Sequence, residues 1–415
     1  MAAMTKWERV RAALAGQETD RVPAGFWGHD YLREWTPQGL ADATLERARR
    51  YDWDFIKVNP RATYYAEAWG NQHQPSPDVA HGPIMIDYAL KAAGDLERIV
   101  AIDVHLGPFG EQLQALRLIA GALQGEVPFV QTVFSPLMVV GLLAGGDLAA
   151  VRRHMREDGE ALHRALSAVS ETLAAYARAC LDAGAGGIFF ATVDWGTYDN
   201  ATEEQYEEFG RPYDLPVLAA VAEAELNVLH VCRKNNMLES LLDYPVHVFN
   251  WAAEQPGNLS LADVLKKTEK AVMGGVAVPT VGGGTPERVA AEVAEALAQT
   301  EGRRFLLAAG CSIAPSTPEA NLRAALAALP AVPVKRRRQA KQAKPTKQAK
   351  ETKQAKPTKP TKPTKETKPT KPTKPTKQTK QAKPTKPTKP TKPTKETKQT
   401  KQAKETKQTK RTEKK

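Results

Sequence analysis

Eight short apolar runs recur along the first 311 residues, and their number and order constrain the fold more than any other feature. They read "VPAGFWG" (22–28), "DFIKVNP" (54–60), "VPFVQTVF" (127–134), "GGIFFATV" (186–193), "LNVLHVC" (226–232), "VHVFNWA" (246–252), "VMGGVAV" (272–278) and "RFLLAAGC" (304–311). Each is nearly continuous and rich in Val, Ile and Phe, the pattern of strands buried on both faces of a parallel sheet. Amphipathic stretches separate them, such as "LHRALSAVSETLAAYARACLDAG" (162–184) and "ERVAAEVAEALAQT" (287–300). The second follows Thr285 and Pro286, a capping residue and a proline at the first helical position. Eight strands alternating with helices predict an α/β fold, a (β/α)8 TIM barrel over residues 1–334, rather than an open sheet. The long stretch between the second and third runs is then an insertion covering one end.

Composition divides the chain sharply after that point. Residues 335–415 hold 27 Lys and 4 Arg against 5 Glu, a net charge of +26, whereas residues 1–334 hold 28 basic and 42 acidic residues, a net −14. The whole-chain value of +12 therefore describes neither part. From Lys341 to Lys410 a lysine falls at every third position, mostly as "KPT", "KQA", "KET" or "KQT". So much proline and charge cannot bury a core, and the segment reads as a disordered tail with polyproline-II character. Three residues per turn line the ammonium groups along one edge, which suits a polyanion such as nucleic acid or an anionic surface. No aromatic residue offers a stacking platform for bases there. An expanded tandem repeat that only solubilises the chain accounts for the same pattern.

The chain has three cysteines, an odd number that fits a reducing cytoplasm better than a disulfide framework. No apolar run approaches a membrane span, and "MAAMTKWERVRAAL" lacks the apolar stretch of a signal peptide. Two of the cysteines lie at strand ends. His230 and Cys232 in "NVLHVC" point the same way along a strand and sit at the C-terminal end of the fifth run. Cys311, in "AAGCSIAPSTPE", ends the eighth, and barrel active sites are built at that end. Glu254, in "FNWAAEQ", follows the sixth run and supplies a candidate oxygen ligand. Zinc takes such a His, Cys, Cys set readily, with an exchangeable fourth position. A His-x-Cys alone fits a packed strand as well as a ligand pair, and the fifth and eighth strands are not neighbours in a barrel. Cys180, inside a helical apolar pattern, reads as core.

Three further stretches carry a family resemblance: "TKWERVRAALAGQETDRVPAGFWG" at the start, "EEQYEEFGRPYDLPVL" after the fourth run and "GCSIAPSTPEANLRA" at the end. Across residues 4–329 the chain resembles the uroporphyrinogen decarboxylase superfamily. "LHVC" with "GCSIAPSTP" is similar to its zinc-dependent branch, the methylcobamide:coenzyme M methyltransferases. The resemblance implies one zinc ion per chain held by His230, Cys232 and Cys311, with Glu254 in the place of an acidic ligand used by related enzymes. It also implies a small-molecule thiol as acceptor, a corrinoid methyl donor on a partner protein, and a homodimer. Uroporphyrinogen decarboxylases carry an arginine-rich "RQAGRY" segment after the first strand for the substrate's carboxylates. This chain has "GFWGHDYL" there, with no arginine before Arg33.

Other polar residues fall at strand ends and are candidates for substrate binding: His29 after the first run, Asn59 ending the second, Gln131 within the third, and Asp194 and Tyr198 after the fourth. Two alternatives to methyl transfer stand: porphyrinogen decarboxylation, and a non-enzymatic protein docking on a polyanion through its tail. Deleting residues 335–415 tests the latter. Retention on DNA or anionic vesicles at low salt should be lost while any barrel activity stays, and a truncated chain that still binds them excludes the tail as the docking element.

Overall fold

A computed structural model describes residues 3–330. The Lys/Pro/Thr repeat of residues 335–415 lies outside the described residues. Among the described residues nine strands occur: β1 (Ile56–Val58), β2 (Gln72–Gln74), β3 (Ile84–Asp87), β4 (Phe129–Phe134), β5 (Gly187–Ala191), β6 (Val228–His230), β7 (Val248–Asn250), β8 (Ala271–Val276) and β9 (Phe305–Ala309). Seven form one sheet in the order β1-β4-β5-β6-β7-β8-β9, with every neighbouring pair parallel. Each coincides with one of the apolar runs, in sequence order, with β8 starting one residue before its run, as a curled βα sheet requires.

The eighth barrel position is filled by the first run, Val22–Gly28, which contributes bridges rather than a regular strand. Ala24 bridges Leu307 and Gly28 bridges Ile313, both in parallel sense. Pro23 has no N–H to give, but its carbonyl accepts from Leu307 at 2.8 Å, and Gly25 N–H donates to Leu307 O at 3.0 Å. On the other side Asp54 N–H donates to Ala24 O at 2.9 Å, which joins β9 to β1 and closes the barrel. The approach is too close for a side chain: a Cβ on Gly25 would stand 2.6 Å from Phe55 O, and one on Gly28 2.4 Å from Ile313 O. The Asp54 side chain reinforces the closure. It accepts from Ala24 N–H at 2.9 Å, from Arg9 at 2.6 Å and from Arg21 at 2.8 Å, and is fully buried. Removing one guanidinium from such a buried carboxylate typically costs about 3–5 kcal/mol, so the closure depends on charges that are satisfied only together.

Two apolar layers follow from the period of two along each strand. Phe55, Val130, Phe189, Val228, Val248, Met273 and Leu306 fill the barrel interior. Ile56, Phe129, Ile188, Leu229, Phe249, Val272 and Phe305 face the helical layer. That layer includes Gly159–Asp182 and Pro286–Thr300, the latter capped by the Thr285 hydroxyl accepting from Arg288 N–H at 3.3 Å. The insertion between β1 and β4 carries the antiparallel β2–β3 hairpin, and its Gly82 packs against the Tyr31 ring at the barrel mouth. No helix among the described residues is long and apolar enough to cross a membrane.

The "EEQYEEFGRPYDLPVL" stretch forms two short helices, Glu203–Phe209 and Arg211–Ala219, and buries Asp214 completely. One carboxylate oxygen accepts from Tyr206 at 2.7 Å and Tyr244 at 2.9 Å, and the other has no partner. Burial pushes this carboxyl up to about 7, against the two phenol hydrogen bonds. A carboxyl raised in the folded state favours folding in its protonated form, and that contribution is lost as pH rises from about 4 through 7. Asp214→Asn should therefore gain in melting temperature relative to the parent between pH 5 and pH 8. A difference that stays constant across that range would show that Asp214 does not titrate there.

Candidate metal centre

The two interior-facing positions that follow Val228 and Val248 are His230 and Asn250, and β6 and β7 pair them directly in register. Asn250 Oδ1 lies 2.6 Å from His230 Nδ1. The amide orientation is fixed from behind, because Asn250 Nδ2 donates to Met273 O at 3.0 Å and Ala309 O at 3.3 Å. His230 must then carry its proton on Nδ1 and present the Nε2 lone pair. The ring also stacks on Phe189 at 5.2 Å, so both its tilt and its tautomer are set before any ligand arrives.

Cys232 follows β6 and Cys311 follows β9, which β7 and β8 separate in the sheet. Gly310 brings them together. A Cβ there would sit 2.5 Å from Ala252 Cα, so only a glycine lets the chain leaving β9 press against the segment leaving β7. Cys311 Sγ ends 3.9 Å from Cys232 Sγ and 3.7 Å from His230 Nε2. All three donor atoms lie within 4.8 Å of one another. A tetrahedral zinc with bonds of about 2.3 Å to sulfur and about 2.0–2.1 Å to nitrogen has edges of about 3.8 Å (S–S) and about 3.6 Å (S–N). Two of the three edges match that ion, and the third, from His230 to Cys232, lies within 4.8 Å. The contact between the two sulfurs holds Cys311 well below the usual thiol range and pushes Cys232 up.

The donors open on a cavity of about 350 Å³ at the C-terminal end of the strands, walled by Trp27, Tyr65, Phe134 and Phe189. His29 lines it, stacked on Tyr31 at 4.7 Å with Nδ1 held 2.9 Å from Glu34. Asn59 lines it as well. Asp194 acts at one remove, accepting from Arg233 Nε at 2.8 Å, and it is Arg233 that reaches the cavity. The structure does not bring Gln131 or Tyr198 to the site. Gln131 faces the helical layer and donates to Tyr176 at 2.9 Å, because the period of two puts Val130 and Thr132 inside. Tyr198 is 44% exposed and its hydroxyl meets Ser240 at 3.2 Å. Glu254 lines a separate cavity with Ser260, Arg288 and Glu292, and its carboxyl, raised by burial, is outside the three-donor cluster.

Two residues of the site had escaped notice in the sequence. Asn250 is one. The other is Lys57, two residues after Phe55 and therefore pointing into the barrel, where it is 8% exposed. Burial pulls its ammonium down to about 7, with Cys311, Glu34 and Cys232 pulling the other way. A lysine inside the otherwise apolar run "DFIKVNP" was the available signal. Asn250→Leu should weaken divalent metal binding about 10–100-fold by chelator competition, with the far-UV spectrum kept. Unchanged affinity would mean that the His230 tautomer needs no partner.

The uroporphyrinogen decarboxylase family profile matches residues 5–331. Methylcobamide:CoM methyltransferase MtbA of Methanosarcina acetivorans is 26% identical over 340 residues, covering 78% of this chain and 97% of that protein. MtaA of Methanosarcina barkeri strain Fusaro is 25% identical over 357 residues, covering 79% and 98%. A uroporphyrinogen decarboxylase of Prochlorococcus marinus is 25% identical over 251 residues, covering 58% and 68%. A solved methyltransferase from Methanosarcina mazei shares the fold with a TM-score of 0.66, at 22% identity over 78% of this chain and 98% of its own. The chain belongs to the uroporphyrinogen decarboxylase family.

Proposed function

We propose that the protein is a zinc-dependent methyltransferase that moves a methyl group from a corrinoid on a partner protein to a small thiol. The observation that carries this reading is the convergence of the His230, Cys232 and Cys311 donor atoms, within 4.8 Å of one another, on an aromatic-walled cavity. Similarity to methylcobamide:CoM methyltransferases over nearly their whole length supports it. Zinc held there would supply a positive charge that keeps the acceptor sulfur deprotonated at neutral pH. His230 serves as a neutral ligand whose orientation Asn250 maintains, and the two cysteines serve as thiolates. The walls of Trp27, Tyr65, Phe134 and Phe189 exclude water from the sulfur, which leaves it a stronger nucleophile. A corrinoid donor would supply an electrophilic methyl group, which the deprotonated acceptor sulfur held in this cavity would take. Glu254 stands in this proposal as a reserve oxygen ligand when no thiol is bound.

Porphyrinogen decarboxylation fits the cavity less well. Among the described residues lining it, Lys57 and Arg233 are the basic chains, and Arg233 is already paired with Asp194. A substrate with eight carboxylates requires more fixed cations than that.

Purified protein should contain about one zinc per chain and demethylate methylcobalamin only when a thiol is added. Cys311→Ser should lose most of the metal and cut the rate by about 100-fold or more. Zinc-free protein from a zinc-replete preparation, or full activity in Cys311→Ser, would overturn the reading.

A further inference from the structure

A free thiol titrates at about pH 8.5, so at neutral pH it enters the cavity with its proton still on sulfur. That proton must go somewhere before the sulfur can be methylated, and the walls of Trp27, Phe134 and Phe189 offer no lone pair to take it. Most of the polar groups lining the cavity are already committed. The Thr132 hydroxyl donates to Val58 O at 2.6 Å, the Lys57 ammonium donates to Asn59 Oδ1, and Arg233 binds Asp194 at 2.8 Å. His230 Nε2 faces the two sulfurs, 3.7 Å from Cys311 Sγ.

His29 differs. Its Nδ1 lies 2.9 Å from Glu34, and a carboxylate only accepts, so in the neutral ring the proton sits on Nδ1 and the lone pair on Nε2. His29 lines the cavity and Glu34 does not, so the ring turns its Nε2 edge inward, and among the described residues Nε2 makes no hydrogen bond. Stacking on Tyr31, 10° from parallel, fixes the plane of the ring. Gly28 bridges Ile313, two residues beyond Cys311, so His29 rises from the stave beside the one that delivers that cysteine. Glu34 is 1% exposed, and among the described residues His29 is its ion-pair partner. A buried carboxylate so placed stabilises the imidazolium that forms when the ring takes up a proton, the part that the aspartate plays in a serine-hydrolase triad. Of the other charges nearby, Asp30 pairs with Arg33, and Arg61, which reaches Glu34 O at 3.2 Å, pairs with Glu67. Lys57 and Arg233 line the same cavity and oppose a standing positive charge on the ring, and a thiolate formed beside it offsets them. We infer that His29 is the proton acceptor for the thiol and that Glu34 is its positioning residue. The S–H bond breaks, its electron pair stays on sulfur for the methyl group, and the proton goes to His29 Nε2. The imidazolium returns it to solvent after the product leaves, which regenerates the ring. The inference rests on the methyl-transfer reading.

The test uses two small thiols, 2-mercaptoethanol, which keeps its proton at about pH 8, and 2,2,2-trifluoroethanethiol, which has largely lost it. Thiol-dependent demethylation of methylcobalamin is measured at that pH in the zinc-loaded parent, His29→Gln and Glu34→Gln. His29→Gln should lower kcat/KM about 100-fold or more with 2-mercaptoethanol and less than about 5-fold with trifluoroethanethiol, with zinc content and far-UV spectrum unchanged. Glu34→Gln should show the same preference with a smaller loss of about 10-fold, and imidazole added to His29→Ala should restore part of the 2-mercaptoethanol rate. In metal-free protein, nitrogen-15 NMR of labelled histidines should find the His29 ring protonated on Nδ1 and bare on Nε2, and Glu34→Gln should populate the other tautomer. Equal losses with the two thiols, undiminished activity in His29→Gln, zinc lost from that variant, or a bare Nδ1 in the parent would overturn the inference while the methyl-transfer reading stands. A parent that demethylates methylcobalamin with neither thiol would overturn both.

Discussion

The closure of the barrel at Ala24 is the constraint on which the rest of the structure depends. The segment between β9 and β1 is too short of regular pairing to hold by its ladder alone, since Pro23 contributes no donor and the bridges are isolated. Asp54 makes up the deficit by binding Ala24 from the side and anchoring Arg9 and Arg21. Had the sheet stayed open there, β9 would be an edge strand and its C-terminal loop would have no reason to cross the mouth. The interior layer, the helical shell and the meeting of Cys232 with Cys311 all presuppose a closed ring.

Within that ring the metal donors are held by different means. His230 is set by its register partner Asn250, and the next two strands fix that asparagine through Met273 and Ala309. Cys311 is set by a backbone approach at Gly310. The immediate partner of the imidazole is an amide, not a carboxylate, so the support for His230 adds no charge. With two thiolates and a neutral imidazole, a divalent ion would be balanced before the substrate binds. Lys57 is a buried cation lining the same cavity.

Much of this was legible in the sequence, and the remainder was not for definable reasons. All eight apolar runs hold barrel positions, because continuous Val, Ile and Phe segments have few alternatives to a doubly covered parallel strand. The same continuity hid which side each residue faces. In "VPFVQTVF" apolar residues occupy both faces, so nothing in the run told Gln131 from Thr132 as the one that points inward. His230, Cys232 and Cys311 were found by residue type, whereas their convergence depends on Gly310, whose role is a close approach that no local pattern records. Glu254 was chosen by its position after a strand and lies in a neighbouring cavity. Lys57 and Asn250 stood inside runs read only for their apolar neighbours.

The three donors are local on one side and remote on the other: 79 residues separate Cys232 from Cys311. A pair so far apart in sequence meets only when the intervening β7, β8 and β9 are in place. A metal ion would therefore find its full donor set only on a finished barrel, and the ion's binding energy would act as a latch on the completed ring rather than as a nucleus for it.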